Sequence, residues 1–170
     1  EEWIARIMSD SKEEGKAAAD RGTEIHASIQ GYYEGHGYGN HTAHVQAFDD
    51  LMIENYGHQK WIAEMSFAHE EGFGGKVDLH SINGHGLVID VKTKEFEKDD
   101  KVVGYDEHLM QLAAYRVGLR IPQADCANAF VSRTMPGLVV IHKWTQEDLA
   151  KGWEMFKNLL QFWQAKNGHK

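Results

Sequence analysis

Two short stretches of this sequence carry residues whose types and spacing suit chemistry on a charged substrate: Gly75-Lys76-Val77-Asp78 and Ile89-Asp90-Val91-Lys92. On a strand, residues two apart share a face. Asp90 and Lys92 then point one way, while Ile89 and Val91 enter apolar packing. Lys76, Asp78 and His80 share a face of the preceding strand by the same rule. Register decides whether the two faces coincide. A three-residue loop over Asn83-Gly84-His85 sets Asp78 directly opposite Asp90, with Cβ atoms about 5 Å apart. A two-residue loop sets them on opposite faces unless a bulge intervenes. Facing carboxylates repel unless a cation lies between them, and hard oxygen donors at that spacing suit Mg²⁺ or Mn²⁺. A lysine beside such an ion can orient or deprotonate water, or neutralise charge on a phosphate. The competing reading makes these residues the solvated polar face of an amphipathic hairpin.

Three further features bear on that choice. His26 lies at the edge of the Ile25/Ile29 stripe, where a helix packed on the strands could aim it at the carboxylates; a satisfied structural histidine is the alternative. Gln111 and Tyr115 stand four apart on one helix face and could contact a phosphate or stack on a base, with a half-buried polar pair as the alternative. Glu64 is alone among apolar neighbours; a third acid and a solvent-facing edge residue are both open.

The elements that must position these groups follow from periodicity. Residues 11–33 read as helix, with glycines at 15, 22 and 31 pointing to a start as late as Arg21. A second helix is predicted over 42–56, with Val45, Phe48, Leu51 and Met52 inward and Gly57 ending it. Strands are predicted over 61–68, 73–82 and 87–94, the last two joined by a turn at Asn83-Gly84-His85-Gly86. Residues 106–119 return to helix. Residues 127–133 and 138–144 read as a hairpin around Met135-Pro136-Gly137. Thr145 can cap a last helix to about 164, with Glu147 and Asp148 in its first turn. The order ααβββαββα predicts a mixed α/β fold with a central sheet flanked by helices.

Composition sets the outer bounds. The chain has 170 residues and a formal net charge of −8, with 42% hydrophobic and 26% charged residues. One domain over 1–170 is the simplest organisation, and the absence of a leading Met fits a trimmed chain. No apolar run approaches the roughly 20 residues of a membrane span. The acidic balance gives no whole-molecule attraction to nucleic acid, so contacts must come from local patches. The single cysteine, Cys126, excludes a four-cysteine zinc or iron–sulfur site. It also points to a reducing, intracellular setting: bacterial or phage-infected cytoplasm first, an organelle as the alternative.

Taken in order, these segments resemble the PD-(D/E)xK nuclease superfamily, and within it the RecB-like exonucleases of mitochondrial genome maintenance and related phage proteins. The matching residues are Arg21-Gly22-Thr23-Glu24-Ile25-His26, Glu64, His69-Glu70, Gly75-Lys76-Val77-Asp78, Val88-Ile89-Asp90-Val91-Lys92-Thr93 and Gln111-Leu112-Ala113-Ala114-Tyr115. The resemblance runs from about Arg21 to the last helix and implies a restriction-endonuclease-like fold. No proline precedes Asp78, a common departure in the superfamily.

The resemblance implies roles. Asp78 and Asp90 are metal ligands with His26 and the carbonyl of Val91; Lys92 is the catalytic lysine. Gln111 supports the site, Tyr115 contacts DNA, and Glu64 is a possible additional acid. Lys94, Arg116, Arg120 and Arg133 are candidate phosphate contacts. Tyr32, Tyr33, Tyr38 and Trp61 could stack on bases, with core packing as the alternative. The implied activity is Mg²⁺- or Mn²⁺-dependent hydrolysis of DNA from single-stranded ends, in repair or recombination, without an iron–sulfur cluster. A helicase, recombinase or single-strand-binding protein would be a separate chain. A structure-specific or restriction-type endonuclease and a non-catalytic nucleic-acid-binding module are the competing functions.

Overall fold

The computed structural model describes the backbone of residues 2–168 and the side chains of residues 12–168. The β-branched and aromatic runs pair as strands, and the Ala- and Glu-rich segments around them form helices. The elements are α1 (Glu2–Tyr33), α2 (Thr42–Tyr56), β1 (Ile62–His69), β2 (Phe73–Ser81), β3 (Leu87–Lys94), α3 (Asp106–Gly118), β4 (Asp125–Ser132), β5 (Val139–Trp144) and α4 (Gln146–Asn167). This is the ααβββαββα order that periodicity predicts.

The strands form one mixed sheet in the order β1-β2-β3-β4-β5. Only β3 and β4 run parallel; the other neighbours are antiparallel. A parallel pair needs a crossover, and α3 supplies it. Helices α1 and α2 cover one side, where Ile25, Ile29, Phe48, Met52, Leu79, Ile89 and Ala129 pack together. Helices α3 and α4 cover the other, over Val77, Val88, Leu112, Cys126 and Leu149.

Three expectations are corrected. Helix α1 runs unbroken through its glycines rather than starting near Arg21. Each glycine costs a helix about 1 kcal/mol, and burial of Ile25 and Ile29 offsets it. In α2, His44 joins Val45, Phe48 and Met52 inside, while Leu51 is only half-buried. Helix α4 continues to Asn167, past residue 164, and Gly168 ends it in the left-handed region. Its start is as expected: the Thr145 hydroxyl accepts from the Asp148 amide at 3.0 Å.

Candidate active site

The register places a polar row across the whole sheet. Ala63 pairs with Leu79 and Met65 with Val77, which brackets Glu64 opposite Asp78. Leu79 pairs with Ile89, so Asp78 stands in line with Asp90. The β2–β3 loop is longer than three residues but has the same parity, so the register, continued past Leu79 and Ile89, sets Asp78 level with Asp90. Asp90 then pairs with Asn128, and Asn128 with His142.

The hairpin changes face at this row. Leu79 packs under α1 and α2, whereas Val77 packs under α3 and α4. Ala63 and Phe67 of β1 divide the same way. Strict alternation would keep each pair on one face. Glu64 sits at the change with φ 54, a left-handed conformation uncommon for a non-glycine residue. Lys76, Asp78 and His80 therefore do not share one face: Lys76 is exposed and His80 is buried.

The break frees Asp78 for other partners. Its Oδ2 accepts the Val91 amide at 2.7 Å and lies 3.3 Å from His26 Nε2. Glu64 is paired to Lys76. His26, Glu64 and Asp78 each offer a ligand atom within 4.8 Å of the others; among the described residues no other group of three or more histidine, cysteine or acidic side chains does so. One imidazole and two carboxylates suit Mn²⁺ and, through the oxygens, Mg²⁺.

Asp90 is held differently. Lys92 Nζ lies 3.1 Å from its Oδ1 and 3.0 Å from its Oδ2. Asn128 Nδ2 donates to Oδ2 at 2.8 Å, and Trp144 Nε1 donates to Asn128 Oδ1 at 2.7 Å. Lys92 also donates to Gln111 Oε1 at 3.0 Å, and Gln111 donates to the Tyr115 hydroxyl at 2.7 Å. Gly75 lets α3 approach: a Cβ there would lie 2.6 Å from the Tyr115 ring. The result is one chain from Trp144 through Asp90 and Lys92 to Tyr115.

Electrostatics follow from this packing. Burial pushes the Asp90 carboxyl up to about 6, opposed by the Lys92 ammonium and reinforced by Asp78. The His26 imidazole is raised, chiefly by its hydrogen bond to Asp78 and against the effect of burial. Burial raises the Tyr115 phenol. Three carboxylates in one row favour bound protons or a cation.

Other candidates fall elsewhere. Arg116 is buried, not available to a phosphate: its guanidinium donates to Gln146 Oε1 at 2.6 Å and to the Ala124 carbonyl. Burial lowers its pKa. Lys94 lies 6.0 Å over the Phe130 ring. Tyr32 and Tyr33 are tied to Asp49 through their hydroxyls. Trp61 packs on the α1/α2 core, and Tyr38, 43% exposed as a residue, stacks on Tyr32. The Val91 side chain is core. Sequence reasoning missed Asn128, although an Asn inside Cys126-Ala127-Asn128-Ala129-Phe130 marks a polar group bound for burial, where it needs partners.

No protein-family model and no curated protein matches this chain. Among solved structures, one like it is a candidate exonuclease from Eubacterium rectale. The TM-score is 0.56 at 16% identity, covering 88% of this chain and 69% of that one. A second, SSO0001, aligns at a TM-score of 0.41 and 15% identity, over 91% of this chain and 69% of that one. The first likeness supports a nuclease-like mixed α/β fold. No helix among the described residues is long and apolar enough to cross a membrane.

Proposed function

We propose that this protein is a metal-dependent deoxyribonuclease of the RecB-like PD-(D/E)xK type, an exonuclease acting at single-stranded DNA ends. The observation that carries the reading is the placement of Lys92. Its ammonium is fixed between Asp90 and Gln111, next to a carboxylate–imidazole group with metal-ligand spacing.

His26, Glu64 and Asp78 would hold Mg²⁺ or Mn²⁺, with Asp90 and the Val91 carbonyl as further ligands. The ion supplies positive charge against the phosphate and a more acidic water. The protein's own part is positional. Lys92 presents N–H donors to a phosphate oxygen or to the attacking water. Gln111 and Tyr115 keep that ammonium in place, and Asn128 keeps the Asp90 carboxylate turned towards it. Exonuclease action and single-strand preference rest on the sequence resemblance. So does work with a separate helicase, recombinase or single-strand-binding protein. Buried Cys126 suits a reducing compartment.

The test pairs end-labelled linear single-stranded DNA with a closed single-stranded circle, in Mg²⁺, Mn²⁺ or EDTA. We expect degradation of the linear form alone, abolished by EDTA. Cutting of the circle would make the protein an endonuclease. Binding without turnover by folded protein would make it a nucleic-acid-binding module.

A further inference from the structure

Helix α1 meets the sheet along one row of residues. Ala18, Gly22 and His26 stand four apart, so they face the same way. Arg133, just after β4, donates from Nη1 to the Ala18 carbonyl at 2.9 Å. Gly22 lies over Thr93 of β3. His26 reaches Asp78 of β2 at 3.3 Å. Those three strands are neighbours. Four residues advance a helix by about 6 Å, and strands lie about 4.8 Å apart. The row therefore crosses about one strand per turn.

Gly22 is the tight point. A Cβ there would lie 2.6 Å from Thr93 Oγ1 and 3.4 Å from Arg133 Cδ. Thr93 is β-branched and stiff at χ1, so it cannot swing aside freely. To restore ordinary contact α1 would have to lift by about 1 Å. The lift would act one turn before His26 and open its approach to Asp78.

We infer that Gly22 is a positioning residue: its missing side chain sets the height of α1 over β3 and so aims His26 at the metal-ligand group. The inference rests on the metal centre proposed above. It concerns distance alone, since Gly22 has no side chain with which to ligate a metal.

The experiment measures Mn²⁺ binding without nucleic acid, by electron paramagnetic resonance titration, in wild type, Gly22→Ala, Thr93→Ala and the double variant. Gly22→Ala is expected to weaken Mn²⁺ binding about tenfold, the lower end for a residue that orients a ligand. Thr93→Ala should bind as wild type does, and the double variant should recover, because removing the hydroxyl and methyl makes room for the added Cβ. Circular dichroism checks folding. If Gly22→Ala is unfolded, Thr93→Ile crowds the same contact from the strand and must weaken binding instead. Equal binding by wild type and folded Gly22→Ala overturns the inference and leaves the metal centre standing. Weakened binding that the double variant does not recover overturns the steric cause. No binding by wild type overturns the metal centre itself.

Discussion

Asp78 accepts the Val91 amide through its side chain at 2.7 Å, in the row where Asp78 stands level with Asp90. A carboxylate thus takes the place of a main-chain partner, and the β2–β3 pairing stops at Leu79 and Ile89. The same oxygen faces His26. The acid that binds the amide is also the acid nearest the helix histidine, and it links the sheet's broken ladder to the candidate site.

Asp90 should make the metal-free protein sensitive to pH. Its folded pKa of about 6 lies above the ordinary 3.8. The raised value favours the neutral acid in the fold, so this group's stability contribution is full below about pH 4 and lost as pH rises through about 6. The loss is about 3 kcal/mol at most, at 1.36 kcal/mol per pH unit. Denaturant unfolding in EDTA should show Asp90→Asn gaining on wild type between pH 4 and pH 8. A constant gap across that range would contradict it.

Glu64 and His26 should both matter for metal. Glu64→Gln and His26→Ala are each expected to weaken Mn²⁺ binding by about tenfold or more in calorimetric titration. Unchanged affinity in Glu64→Gln would remove it from the ligand group.

Asn128 should be structural support with a reach into the site. It is fully buried between Trp144 and Asp90. Asn128→Ala leaves both groups short of a partner and should cost about 1–3 kcal/mol. Thermal unfolding checks the cost.

Arg116 should behave as a core residue. Arg116→Ala is expected to lower stability by about 2 kcal/mol, the scale of a charged hydrogen bond. The salt dependence of DNA binding should stay as it is, because no phosphate contact is lost. A shallower salt slope would return Arg116 to the DNA surface.

Much of this was legible in the residues. Alternation and turn glycines marked the five strands; the residues left two loop parities open, and the observed β2–β3 register decides for the one that sets Asp78 level with Asp90. Lys92 and Gln111 were named from sequence, although their contact spans two elements. Other features were hidden for physical reasons. The left-handed Glu64 reverses faces, and alternation assumes that no residue does so. Arg116 finds Gln146 thirty positions on, and such a partner leaves no local trace. The glycines of α1 read as breakers, yet Gly22 lies where the helix closes on β3. Propensity measures a helix in isolation, and tertiary contact overrides it.

The most direct test compares wild type with Lys92→Ala on uniformly labelled linear single-stranded DNA in Mn²⁺, with circular dichroism confirming that both are folded. We expect release of acid-soluble nucleotides by wild type, none in EDTA, and a loss of about 100- to 1,000-fold in the variant. Equal rates in the two proteins would contradict a hydrolytic centre built around Lys92.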